Sequence, residues 1–299
     1  MHETRLSTAG PFDGEGVLRY LAGHAIPGVE FADAKRYRRV VRLDSGGHTS
    51  LLVRLDGPEG IKVLIDEPAP KVPIPDEPVP AAPVPGSPDP KDVLARVRQL
   101  ANLDADSTTI DAHLSADAAL AQRVQANPGI RVPGTLDPQE QLFRTLIGQQ
   151  ISISAARTVL GALVKKLCGE SGQFPTAEQI AARGQEVLRG PKARIATILT
   201  VAQALASGEL TISRSHNVEE LTERLTAFAG IGPWTAGYVA MRVLGAPDVL
   251  LSTDTVLLKG AAALGLPSTP RGIADYGQRW APYRSYAGLH LWRAAQSSR

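Results

Sequence analysis

Between residues 29 and 66 the apolar positions fall in short, partly β-branched runs, VEFADAKRYRRVVRL, TSLLVRLDG and IKVLID, separated by Gly and Asp. Runs of this length between turn residues predict three or four antiparallel strands. Ahead of them, GEGVLRYLAGHAI (14–26) spaces its apolar residues as a short amphipathic helix does. An α+β N-terminal domain, a small antiparallel sheet with helices, is therefore expected over 1–67. Ten prolines follow between Pro68 and Pro90. Proline lacks the backbone donor that an inner helical turn or a central strand needs. Residues 68–90 are expected to form an extended, semi-rigid connector.

From Lys91 onward the period changes to that of helices. Ten segments, from KDVLARVRQLANL to YRSYAGLHLWRAAQ, carry helical spacing or helix punctuation. They predict an all-α domain of ten helices over 91–299.

At 299 residues, 43% of them hydrophobic, the chain can bury the cores of two domains. Its net charge of +2 is unevenly spread: residues 1–90 hold ten Lys/Arg against thirteen Asp/Glu, so the remainder carries +5. The tail from Lys259 has six Lys/Arg against Asp275 alone, which suits either a polyanion face or solvated helices. Cys168 is the only cysteine, so an intramolecular disulfide and a Cys-ligated zinc or iron–sulfur site are excluded. The six histidines show no metal-binding spacing, and the start MHETRL lacks an apolar signal core. With no run approaching a membrane span, the protein is expected in the cytoplasm.

The segment NVEELTERLTAFAG-IG-PWTAGYVAMRVLG reads as helix, glycine turn, helix. Gly230 and Gly232 leave backbone N–H groups bare at the start of the second helix, where the helix dipole also favours an anion. The usual ligand of such a helix-hairpin-helix is a DNA backbone phosphate; a glycine-capped helix corner is the alternative. Trp234 and Tyr238, four apart, share a helix face as core or as a stacking wall. Asp254, at the head of the apolar segment DTVLLKGAAALG, is either a helix cap or a carboxylate aimed into a cleft. A fixed anion there would stabilise the oxocarbenium-like state through which a sugar–base bond breaks, and could orient or deprotonate water.

LIGQQIS (146–152), FAGIGPWTAGYVAMR (228–242), DVLLSTDTVLLK (248–259), WAPYRSYAGLHLW (280–292) and PFDGEGVLRYLAGHAI (11–26) stand in an order that resembles the DNA-3-methyladenine glycosylase II (AlkA-type) family of the helix-hairpin-helix superfamily. The resemblance covers most of 11–66 and 91–293. It implies a monofunctional glycosylase acting on alkylated bases of the 3-methyladenine and 7-methylguanine class in duplex DNA. Asp254 would be its catalytic residue, with Trp234, Tyr238, Trp292 and Tyr20 lining the base pocket. Gly230, Gly232 and Thr235 would meet a phosphate. The carbonyls of Thr226, Phe228 and Ile231 would hold a structural Na+ or K+, with no other cofactor required. Gln150 or Ile151, in the loop 148–151, would wedge into the minor groove. No protein partner is implied.

The chain departs from the pattern in places. Gln150 stands where relatives have an aliphatic tip, Thr255 where some have an aromatic, and the proline-rich connector has no counterpart. A bifunctional glycosylase/lyase would carry lysine where Trp234 stands, and many of that branch carry a four-cysteine cluster that one cysteine cannot supply. A non-enzymatic hairpin module needs neither Asp254 nor the aromatics, and a methyl-acceptor activity would need several cysteines. Within the matching motifs, Arg242 suits a structural ion pair and His290 a satisfied core position. Arg284 could steady Asp254 or touch phosphate. Trp280 and Tyr283 suit the core, with Tyr283 near enough to the motif to reach the pocket.

Overall fold

A computed structural model of the chain describes residues 2–43, 47–57, 60–65 and 90–297; the connector expectation lies outside them. The N-terminal part runs β1 (His2–Ser7), α1 (Gly14–His24), β2 (Glu30–Ala32), β3 (Arg36–Arg42), β4 (His48–Leu55) and β5 (Gly60–Ile65). These strands form one antiparallel sheet in the order β1-β5-β4-β3-β2. Four of them lie where short apolar runs predicted strands. The edge strand β1 escaped the pattern because only Leu6 of HETRLS is buried, so its sequence carries no alternation.

The helices follow: α2 (Pro90–Leu100), α3 (Ser107–Ser115), α4 (Ala118–Ala126), α5 (Pro138–Gly148), α6 (Ile153–Cys168), α7 (Ala177–Val187), α8 (Lys192–Ser207), α9 (Val218–Thr226), α10 (Pro233–Leu244), α11 (Thr255–Ala263), α12 (Pro270–Tyr276) and α13 (Arg284–Ser297). That is twelve among the described residues rather than ten. The two missed, α3 and α4, are nine residues each and bury few apolar side chains, Ile110 and Leu114 in one, Leu120 and Val124 in the other. Their start signals are Asp106 and Asp117, whose carboxylates accept from Thr109 N–H and Ala119 N–H.

Val93, Val97 and Leu100 of α2 pack with Leu51, Val53 and Val63 of the sheet, so the first helix after the prolines completes the N-terminal core. A second core joins α5, α6, α8 and α10 through Leu142, Phe143, Leu163, Val201, Val239 and Ala240. A third holds α11 and α13 around Trp280, Leu257 and Leu291.

The sheet and the helices are tied by buried charge. Arg39 of β3 donates through both terminal nitrogens to Glu140 of α5, at 3.1 and 2.8 Å. Arg144, one turn further along α5, donates to Glu30 of β2 at 2.6 Å and through Nε to Glu140 at 2.8 Å. Tyr37 donates to the other oxygen of Glu30 at 2.6 Å. Both carboxylates are 3% exposed, so removing one partner would strand a charge away from water.

Burial pushes the Glu140 carboxyl up, but the Arg39 and Arg144 guanidiniums outweigh it and hold it at about 2. The folded value lies below the unfolded one, about 4.3. The stabilisation is therefore present above that value and is lost as pH falls toward 2. Glu140→Gln is expected to cost about 3 kcal/mol at neutral pH and to flatten the loss of stability between roughly pH 4.5 and 2. Urea melts across that range check both.

Candidate functional site

The hairpin joins α9 to α10. Gly230 has φ +90°, and a Cβ there would stand 2.2 Å from Thr197 Oγ1, which itself donates to Ala229 O at 2.9 Å. Gly232, the N-cap of α10, is different: its φ is −91° and a Cβ would meet nothing within 4 Å. Nothing inside the protein demands glycine at 232. No side chain caps α10, so its first amides face outward beside a residue that offers no obstruction. Thr235 is buried, and its hydroxyl accepts from Gln149 Nε2 at 2.9 Å. Only its backbone N–H belongs to the open helix start.

Gln149 also reaches Gly230 O, at 3.4 Å, and so fastens the loop after α5 to the hairpin. Next to it, Gln150 is exposed and has φ +60°, an uncommon conformation for a non-glycine residue. Ile151 is 37% exposed. It forms an apolar rim with Ile153 and Val256 on a cavity of about 630 Å³.

Asp254 stands on that cavity as the N-cap of α11. Its Oδ1 accepts from Val256 N–H (2.9 Å), Leu257 N–H (2.7 Å) and Trp292 Nε1 (3.0 Å), and its Oδ2 from Trp234 Nε1 (3.0 Å). Both readings of Asp254 hold together: it caps the helix and its carboxylate faces a cleft. Oδ2, with a single donor, is the oxygen with room for a further contact. Trp292 reaches it because α11 and α13 run in backbone contact. A Cβ on Gly260 would lie 1.8 Å from Leu291 O, so only glycine permits this approach.

Trp234 and Tyr238 stack on each other, centroids 5.3 Å apart and planes 10° from parallel, which leaves no gap for a ring between them. Tyr238 meets Trp292 at 6.3 Å and 59°. Tyr20, brought by α1, places its hydroxyl 3.1 Å from that of Tyr238. Burial holds the Tyr20 phenol far above its ordinary value, against the pull of Arg242. His24 stacks on Tyr20 at 4.1 Å, and burial lowers it to about 4, so it is neutral. All four expected pocket aromatics thus line the same cavity as Asp254.

Several expectations need correction. Arg242 makes no ion pair among the described residues: its guanidinium lies over Tyr20 (4.4 Å), Tyr238 (4.9 Å) and Trp292 (5.8 Å), and Nη1 donates to Pro133 O. Arg284 steadies Asp248, at 2.7 and 2.8 Å, rather than Asp254. His290 is fully buried, but neither ring nitrogen has a partner among the described residues, and burial lowers it to about 4. Trp280 and Tyr283 belong to the core as expected: Trp280 Nε1 donates to Asp117 at 2.8 Å, Tyr283 packs edge-on to His113, and neither lines the cavity. Thr255 is exposed and also lies off it. Gln149 was missed because a Gln–Gln pair does not reveal which amide turns inward.

Thr226 is the last residue of α9, and Phe228 and Ile231 follow it in the hairpin turn before α10. The Phe228 carbonyl accepts from Ile231 N–H at 3.1 Å, which leaves it a second lone pair. Hard oxygen donors of this kind fit an alkali cation.

A glycine hairpin with an uncapped second helix, and a carboxylate twenty residues beyond Trp234 held by aromatic donors, together define a helix-hairpin-helix protein with an aromatic-lined cleft. Residues 3–137 match the AlkA N-terminal domain family. The chain is 34% identical over 209 residues to DNA-3-methyladenine glycosylase 2 of Escherichia coli, covering 67% of this chain and 70% of that protein. It is 36% identical over 297 residues to a probable bifunctional transcriptional activator/DNA repair enzyme AlkA of Mycobacterium tuberculosis, covering 96% of this chain. The chain spans only 56% of that relative's length. In fold it matches the 3-methyladenine DNA-glycosylase of Archaeoglobus fulgidus with a TM-score of 0.78, at 19% identity and over 99% of both chains. The chain belongs to the DNA-3-methyladenine glycosylase 2 (AlkA) family.

The two hairpin glycines should respond differently to alanine. Gly230→Ala is expected to cost about 2 kcal/mol of stability, through its positive φ and the clash with Thr197. Gly232→Ala should stay within about 1 kcal/mol of wild type and yet weaken binding to duplex DNA. Denaturant melts and fluorescence anisotropy separate these outcomes.

Proposed function

We propose that the protein is a monofunctional DNA glycosylase that hydrolyses the N-glycosidic bond of alkylated bases, of the 3-methyladenine and 7-methylguanine class, in duplex DNA. The observation that carries this reading is the Asp254 carboxylate, fixed by four N–H donors on the wall of an aromatic cavity. The names of the E. coli and M. tuberculosis relatives support it.

The damaged nucleotide swings out of the duplex into the cavity, which is cheapest where alkylation has weakened its pairing. Trp234 turns one face to Tyr238 and offers the other for stacking. The C1′–N bond breaks and its electron pair leaves with the base; a cationic alkylated base departs as a neutral molecule. Positive charge develops on the sugar, and Asp254 Oδ2, already oriented, stabilises it without reorganising. Water adds to C1′ and gives a proton to Asp254 or to solvent. An abasic site and the free base remain.

The uncapped start of α10 at Gly230, Gly232 and Thr235 N–H grips a backbone phosphate. Gln150 and Ile151 fill the gap in the stack, the strained Gln150 backbone presenting the tip. A sodium or potassium ion at the Thr226, Phe228 and Ile231 carbonyls would brace the hairpin. Trp234 stands where a lyase would carry its lysine, so no covalent sugar adduct forms. A DNA substrate supports a reading of the protein as cytoplasmic.

Base release from methylated duplex DNA tests the proposal. Asparagine caps a helix as well as aspartate does, so Asp254→Asn removes the charge and keeps the fold. Release is expected to fall by a factor of roughly 100 or more, with DNA binding retained. Borohydride should trap no protein–DNA adduct. Undiminished release by the variant removes Asp254 from the mechanism, and absence of release by wild type leaves a DNA-gripping module.

A further inference from the structure

The cavity contains a charge that the chemistry above does not use. Arg242 is 2% exposed, in the last turn of α10, with its guanidinium over three of the four pocket rings. Nη1 is taken by Pro133 O at 2.9 Å, and the Nε–H has no partner. The two buried carboxylates nearby, Glu30 and Glu140, are engaged by Arg39 and Arg144. Burial disfavours the Arg242 charge, yet its pKa is raised beside Tyr20 and Tyr238, and the guanidinium stays protonated. The same cavity is thus lined by the Asp254 carboxylate and, among its aromatic rings, by a permanent cation. Trp292 spans the two, its N–H on the carboxylate and its ring beside the guanidinium.

This arrangement acts oppositely on two kinds of base. A cationic base meets a like charge and finds ring faces already shared with a resident cation. An uncharged base leaves less readily, because it must carry away the electron pair of the broken bond as negative charge. A guanidinium beyond the base lies where that charge collects, in a site that excludes water.

We propose that Arg242 is a specificity-determining residue that extends base release to uncharged bases by stabilising the departing base as it takes up the electron pair. The inference rests on the glycosylase reading. Arg242 keeps its proton throughout. The C1′–N bond breaks, the pair goes to the base, water adds to C1′, and the base anion takes its proton from water.

Single-turnover release is measured on duplex oligonucleotides holding either 7-methylguanine, which is cationic, or hypoxanthine, which is not. The full chain, Arg242→Gln and Arg242→Lys are compared. Wild type is expected to release both. Arg242→Gln should lower hypoxanthine release by roughly tenfold relative to 7-methylguanine, whose release stays level or rises. Arg242→Lys, which keeps the charge but not the planar contact, should recover part of the ratio. A parallel fall for both bases marks a merely structural residue and overturns the inference, as does wild type that releases 7-methylguanine but no hypoxanthine. Should Arg242→Gln fail to fold, Arg242→Lys decides alone: a ratio about threefold below wild type supports the inference, and an unchanged ratio overturns it. Release of neither base by wild type sinks the underlying glycosylase reading instead.

Discussion

The site depends on one carboxylate held from four directions. Asp254 takes two backbone amides of its own helix and two indole N–H groups from helices α10 and α13. Hydrogen bonds to a charged group are each worth about 1.5–3 kcal/mol, and here they fix an orientation rather than close a surface. The arrangement needs three helices to converge, and their packing provides for this. Gly260 lets α11 and α13 touch backbone to backbone, and the hairpin starts α10 so that Trp234 points at the same acid. A carboxylate placed this way needs no rearrangement when positive charge develops beside it.

The N-terminal sheet serves the same cavity. Its helix α1 contributes Tyr20, hydrogen-bonded to Tyr238. The buried Arg39–Glu140 and Arg144–Glu30 pairs hold the sheet against α5 beneath the cavity. An ion cluster of this kind adds little stability compared with apolar packing, but it is costly to break and tolerates only one register. The wall that carries Tyr20 is thus fixed against the helices that carry Asp254. Gln149 does for the exposed side what these pairs do for the buried one, tying the loop of Gln150 and Ile151 to the hairpin.

Much of this was legible in the sequence, for identifiable reasons. Short apolar runs and the helical period marked three or four strands, the helix at 14–26 and ten helices after Lys91, because each of those elements buries apolar side chains. The strand β1 and helices α3 and α4 bury too little to leave a pattern. Asp254, Trp234 and Trp292 stood out as chemistry at motif positions, yet nothing in their spacing says that the indoles donate to the acid. That contact depends on helices far apart in sequence. Arg242 was misjudged for the same reason. A lone arginine in an apolar helix suggests an ion pair, whereas its actual neighbours come from α1, α10 itself and α13.

Replacing each indole by phenylalanine keeps a ring and deletes only the N–H, so it isolates the grip on Asp254. Single-turnover base release by Trp234→Phe and Trp292→Phe should each fall by roughly tenfold, the effect of one lost charge-directed hydrogen bond, while affinity for methylated duplex DNA stays within about twofold. Release at wild-type rates by both variants would contradict the claim that these donors set the acid for its work.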